Sequence, residues 1–289
     1  MPVRWHVEDP ELLAEAFRFT AADTGFSPRL VEKDYFCTVL LEDIGSMEDP
    51  PVFKGGTCLA KVHSRFHRLS EDLDFSIGIS AEAPRPDRRQ AMAPAREHLA
   101  DVVGRLPGFR ILRPLTGFNG SRQYNSTLGY SSLLADTTDT IKLEIGVREP
   151  IREMTMWKPA RTLVLDPGRG TELVPAIRSK CISHREAMAE KVRAALTRRE
   201  PAIRDLFDLD HAAQKTGFDF LDDEFKDLLR LKLEVQGTDE VDISERRFES
   251  LRRQVDAELL PVLRRDDFEF FDVDRALETV TRLAALIGA

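Results

Sequence analysis

The feature that most restricts how this chain can fold is a double glycine set between two kinds of periodicity. Pro51-Val52-Phe53 is a short extended run into Lys54-Gly55-Gly56-Thr57, and residues 57 to 66 then carry helical spacing through Leu59, Val62 and Phe66. After that helix the period changes to two. Leu73, Phe75, Ile77 and Ile79 alternate with polar or small residues, which predicts a strand over 72–79 with Asp72, Asp74 and Ser76 on its second face. A strand, a glycine turn, a helix and a carboxylate-bearing strand must then follow in that order. A double glycine there lets the backbone turn sharply and approach a phosphate, while the helix opening at Thr57 offers unpaired N–H groups. The spacing is not that of a P-loop.

Two carboxylates side by side on a rigid strand repel, and a bound divalent cation or a raised pKa on one of them relieves the repulsion. Thr140 to Val147 repeats the pattern, with Ile141, Leu143, Ile145 and Val147 on one face and Lys142 and Glu144 on the other. Glu144 is therefore a candidate third acid on a neighbouring strand. Three such acids can hold two Mg²⁺ ions, which activate an attacking hydroxyl and stabilise a departing pyrophosphate. The plainer alternative is the solvent face of an antiparallel sheet, where acids and lysines are common.

Elsewhere, helices are expected at Asp9–Thr24, Ser27–Leu41 and 90–105, a charged, proline-rich loop at Ala83–Arg89, and strands at Phe109–Leu112, Gln123–Leu134 and Thr162–Leu165. From Pro175 onward the pattern is almost wholly helical, near 179–198, 201–214, 220–234, 244–258 and 273–287. The expectation is an α+β protein: an α/β core with a mixed sheet over residues 1–170, preceded by helices, then a helical part over 171–289.

Charge separates along the chain in the same way. The net charge is -8, yet Lys142 to Arg204 holds 14 Lys and Arg against 8 Asp and Glu, so a basic stretch able to attract phosphate sits in an acidic protein. A merely solvated basic face is the alternative. No apolar run reaches the roughly 18 residues of a membrane span, and the first residues lack a signal-peptide core; the expected location is the cytoplasm, with no membrane partner. Cys37, Cys58 and Cys181 are odd in number, far apart and without metal-ligand spacing, so each is expected to be a buried apolar residue.

Four stretches carry a resemblance to a known family: Glu32-Lys33-Asp34-Tyr35, residues 53–77, residues 141–151 and residues 190–209. They resemble the nucleotidyltransferase superfamily that includes DNA polymerase beta and, more narrowly, the AbiEii/AbiGii toxins, to which the mycobacterial MenT toxins belong. The spacer of 14 residues between Thr57 and Asp72 is longer than in many members of the superfamily. The resemblance implies that Asp72, Asp74 and Glu144 are catalytic metal ligands and that Lys54, Gly55, Gly56, Thr57, Ser70 and Arg198 contact the nucleotide. It also implies that Lys191 meets triphosphate charge and Asp205 orients it. Phosphorylation of Ser70 would place negative charge beside the metals; Ser70 is alternatively a turn residue.

On the helix carrying Lys191, Ala187, Lys191, Ala194 and Arg198 line one face, and Met188, Val192 and Leu196 form the apolar stripe. Arg193 and Arg204 are further candidates; the alternative pairs Arg204 with Asp208 and leaves Lys191 solvated. Lys61, Arg65 and Arg68 lie close enough in sequence to the glycine turn to touch a nucleotide. Trp157 and Phe118 could stack on a base, though core packing is the commoner role, and His63, His67, His184 and His211 show no metal spacing. The activity so implied is Mg²⁺-dependent transfer of NMP from an NTP to the 3' acceptor end of tRNA, blocking translation, with a cognate antitoxin as partner. The alternatives are NMP transfer to a protein or small-molecule hydroxyl, and a non-catalytic interaction protein.

Overall fold

The computed structural model describes residues 3–235 and 238–288. The chain divides into two units, Met1–Ile182 and Ser183–Ala289. Residues 179–181, expected to open a helix over 179–198, instead end a strand, Ile177–Cys181, of the first unit's sheet, and the helix begins at His184.

The first unit opens with a short helix α1 (Trp5–Glu8) and then α2 (Pro10–Thr24) and α3 (Pro28–Gly45). Asp9 and Ser27 cap α2 and α3 by accepting the amides of Leu12 and Leu30, each with proline in the first turn, and Gly25 closes α2 at φ 78°. After these come β1 (Val52–Lys54), α4 (Gly55–Cys58), β2 (Leu73–Ser76), α5 (Arg85–Ala100), α6 (Val102–Arg105), β3 (Phe109–Phe118), β4 (Gln123–Ser131), β5 (Thr138–Gly146), β6 (Met156–Ala160) and β7 (Ile177–Cys181). The strands form one mixed sheet in the order β3-β4-β5-β2-β1-β7-β6. The central pairs β2–β5 and β1–β7 are parallel; the other four are antiparallel.

Register determines which side chains share a face. Phe53 pairs with Phe75 and Cys181, and Phe75 with Ile145, which in turn pairs with Tyr124. All five are buried, and with Leu73, Leu143 and Leu128 they make the core layer of the sheet. Phe36 of α3 stacks on Tyr130 of β4 at 4.0 Å between ring centroids, extending that core toward the edge.

Several expectations change. Residues 85–89 are helix rather than loop, because a proline in the first helical turn needs no amide. Residues 162–165 are extended but outside the sheet: the Leu163 amide donates to Asp34 Oδ2 and the Leu165 amide to Thr20 Oγ1, so helix side chains take the place of a neighbouring strand. β6 was not expected and β3 runs on beyond Leu112; both are edge strands, where Pro159 and Pro114 are tolerated. The 123–134 strand stops at Ser131 because Glu32 draws the next residues away, accepting from Ser132 Oγ and the Leu133 amide.

The second unit is helical: α7 (His184–Thr197), α8 (Ile203–His211), α9 (Asp223–Leu233), α10 (Glu245–Arg252), α11 (Arg265–Phe270) and α12 (Val273–Ile287). α7 packs on α8 and α9, and α12 on α8. Met188, Val192 and Leu196 are fully buried, as the stripe requires. α11 had no counterpart in the sequence reading. Among the described residues no helix is long and apolar enough to cross a membrane.

Candidate active site

The site of the first unit is laid out by the register of four strands. Lys54 of β1 pairs with Asp74 of β2, Asp74 with Glu144 of β5, and Glu144 with Asn125 of β4. Paired residues point to the same face, so these side chains form one row on the sheet face opposite the core layer. Asp72 stands immediately before β2, with its carbonyl accepting a hydrogen bond from Thr57 Oγ1. This bond fastens the glycine turn to the start of the acid-bearing strand.

The turn lies against the acids. Gly55 has φ 75°, in the left-handed region, and a Cβ there would come within 2.8 Å of Asp74 Cβ. Only glycine combines that conformation with that approach. A Cβ at Gly56 would stand 2.5 Å from Arg68 Nη2 and 3.2 Å from Ser70 Oγ, so a guanidinium and a hydroxyl face the space over Gly56. Arg68 is 3% exposed and its Nη1 donates to the Leu69 carbonyl, which holds the group in place.

The helix after the turn is not the regular one expected over 57–66. α4 gives way to a wider π-turn at Leu59–His63, and Arg65 and Phe66 then take φ 46° and 59°. Consecutive left-handed non-glycine residues cost about 1–3 kcal/mol each and persist only where the surroundings impose them. Here the surroundings include a buried ion pair: Lys61 Nζ lies 2.6 Å from Asp34 Oδ1, with Thr38 Oγ1 at 2.8 Å. Lys61 is therefore a structural residue, neither solvated nor facing a nucleotide.

The Glu32-Lys33-Asp34 stretch is a fastening device. Glu32 holds the chain after β4, Asp34 takes Lys61 and the Leu163 amide, and Lys33 Nζ donates to Glu71 Oε2 at 2.8 Å. Burial pushes the Glu71 carboxyl up, but Lys33 and Arg29 outweigh it and hold the group below the ordinary glutamate range. Glu71 precedes Asp72, so this clamp fixes the approach to the acids.

The donors in the row that could take a cation are the carboxylate oxygens and the Asn125 amide oxygen, all hard oxygen ligands, which fits a divalent ion such as Mg²⁺. The three acids do not close into a cage. Among the described residues, the one set of three acidic, histidine or cysteine side chains with ligand atoms all within 4.8 Å of one another is Cys58, His63 and Cys181. The Cys181 thiol is pulled down to about 5, first by the hydrogen bond with Cys58 and then by His63. All three cysteines are buried, as expected, but two of them are not isolated apolar residues.

In the second unit, Lys191 Nζ sits 2.7 Å from Asp205 Oδ1 and 2.9 Å from Asp208 Oδ2, and Arg198 Nη1 lies 3.2 Å from Asp205 Oδ2. Asp208 is a member of the cluster that the sequence did not single out as a partner of Lys191. Arg204 pairs with Glu258, not Asp208, and Lys191 is not solvated. Arg193 is buried and donates to the Lys232 carbonyl, a packing role. Trp157 and Phe118, expected in the core, are 43% and 48% exposed, and Arg178 lies over the Trp157 ring at 4.6 Å.

Residues 39–281 match the family model described as the nucleotidyl transferase AbiEii toxin of type IV toxin–antitoxin systems. The fold is similar to that of MenT4, a nucleotidyltransferase toxin of Mycobacterium tuberculosis H37Rv, at TM-score 0.60 and 18% identity over 95% of this chain and 98% of that one. It is also similar to JHP933 of Helicobacter pylori, at TM-score 0.53 and 17% identity over 91% and 93% of the two chains. No curated protein matches in sequence.

Proposed function

We propose that this chain, which belongs to the AbiEii nucleotidyltransferase toxin family, transfers NMP from an NTP to the 3' acceptor end of tRNA and so blocks translation. The observation that carries the reading is the in-register row of Lys54, Asp74 and Glu144 with the Gly55-Gly56 turn closed against it. A family of toxin–antitoxin systems also implies a cognate antitoxin, and the basic stretch from Lys142 to Arg204 supplies charge for an RNA.

Mg²⁺ held by Asp72, Asp74 and Glu144 would supply charge neutralisation and activation of the attacking hydroxyl. The chain's own residues do the rest. The glycine turn brings backbone amides to the triphosphate. Arg68 and Ser70, over Gly56, offer a guanidinium and a hydroxyl to phosphate oxygens. In the second unit Asp205 and Asp208 hold Lys191 in place. The 3' oxygen forms its bond to the α-phosphorus, the bond from that phosphorus to the bridging oxygen breaks, pyrophosphate leaves, and the hydroxyl proton passes to solvent.

The test is to incubate the protein with total tRNA, Mg²⁺ and each α-labelled NTP in turn, with protein and small-molecule acceptors in parallel. The reading expects label on tRNA. Label only on protein or on a small product would keep the chemistry and overturn the target; no label on any acceptor would favour a binding protein.

A further inference from the structure

A second side-chain cluster lies behind the glycine turn, made of residues to which the transfer reaction gives no role. Cys58 ends α4, His63 ends the π-turn, and Cys181 ends β7, which pairs with β1 at Phe53. In sequence they are scattered over more than a hundred residues, which hides the set. The fold brings a ligand atom of each to within 4.8 Å of the others.

We propose that Cys58, His63 and Cys181 form a structural site for a soft or borderline transition metal of the zinc class. Two sulfurs and one imidazole nitrogen are the donors that such ions prefer over Mg²⁺ or Ca²⁺. In a tetrahedral zinc site, bonds of about 2.3 Å to sulfur and about 2.0 Å to nitrogen bring the donors to roughly 3.5–3.8 Å from one another. From separations within 4.8 Å the side chains need to close by about an ångström at most. Cys58 and Cys181 are fully buried and His63 is half-buried, so the ion would arrive from the histidine side.

The surroundings already orient the histidine as metal sites do. Its Nε2 lies 3.1 Å from the Ile182 carbonyl oxygen. A carbonyl only accepts, so Nε2 carries the proton and Nδ1 presents the lone pair, the arrangement that a second hydrogen bond gives to a ligating imidazole. The fourth position falls to water or to the Met156 carbonyl, whose oxygen accepts from Cys181 Sγ at 3.4 Å.

The consequence is mechanical. Cys58 follows Thr57, whose hydroxyl holds the start of the acid strand, so a metal at this point would tie the glycine turn to β7. Such a metal would support the turn in the same way whichever acceptor receives the nucleotide.

The probe is Co²⁺, added to the full-length protein after reduction and removal of metals by chelation. The expected result is one equivalent of Co²⁺ giving thiolate-to-cobalt charge-transfer absorption and tetrahedral d–d bands, displaced by Zn²⁺. Cys58→Ser and Cys181→Ser should each lose the charge-transfer band or reduce it by about half while keeping the wild-type circular dichroism, and His63→Asn should weaken binding at least tenfold. Asp74→Asn should bind as wild type does, which separates this site from the carboxylate row. Zn²⁺ should raise the melting temperature of the wild type and leave that of Cys58→Ser unmoved. Absence of the band in folded wild-type protein, a band of wild-type intensity in either cysteine variant, or isolation of a Cys58–Cys181 disulfide in place of the dithiol would overturn the proposal.

Discussion

Gly55 is where one side chain would undo the most. Its φ of 75° costs an alanine about 1–2 kcal/mol, and the added Cβ would press on Asp74. Gly55→Ala is expected to lower the melting temperature by a few degrees and transfer by at least tenfold; a variant with unchanged kinetics would mean that the approach of turn to acid has no role. Glu71 gives a pH signature. Its carboxyl titrates below the ordinary glutamate range in the folded chain, so its contribution to stability is full above the ordinary value of about 4.3 and is lost as pH falls through the lowered one. Lys33→Met should flatten the fall in urea stability between about pH 5 and pH 3. An unaltered slope would show that the clamp does not hold this charge.

Among the elements, the central strands and the two long N-terminal helices were legible in the sequence because each has a clean period and its own caps. Asp9 and Ser27 announce α2 and α3, and the alternation from Ile141 to Ile145 announces β5. The carboxylate row was legible for the same reason, since period two alone puts Asp74 and Glu144 opposite the apolar face. What was not legible depends on partners distant in sequence. The 162–165 segment has strand composition but spends its amides on Asp34 and Thr20, and the metal-type cluster requires β7 to lie beside β1. Lys61 belongs to this group, because nothing local to 57–66 reveals Asp34 beside it. Lys61→Met would leave Asp34 buried without its counter-charge, and unfolding experiments should find a loss of about 3–5 kcal/mol. A loss below about 1 kcal/mol, in the range of exposed pairs, would contradict the buried-clamp reading.

At the scale of the whole molecule, an acidic chain with a locally basic stretch is suited to drawing in a polyanion while staying away from net positive charge. The structure removes some members of that stretch from contention, Arg193 being buried, and leaves others in solvent. The exposed Trp157 with Arg178 over its ring pairs a stacking surface with a cation, the combination that single-stranded nucleic acid uses. Trp157→Ala and Arg178→Ala are each expected to weaken tRNA binding several-fold without changing the melting temperature, with Arg178→Ala also lowering the salt dependence. Filter binding across a salt series checks this, and equal affinity in both variants would place the RNA elsewhere.

The most direct test of the central claim is Asp72→Ala against wild type in the labelled-NTP transfer assay, with circular dichroism and melting measured on the same preparations. Loss of several kcal/mol of transition-state stabilisation predicts transfer reduced by about a thousandfold or more with the fold intact. A folded Asp72→Ala protein that transfers at the wild-type rate would show that the carboxylates at β2 do not carry the reaction.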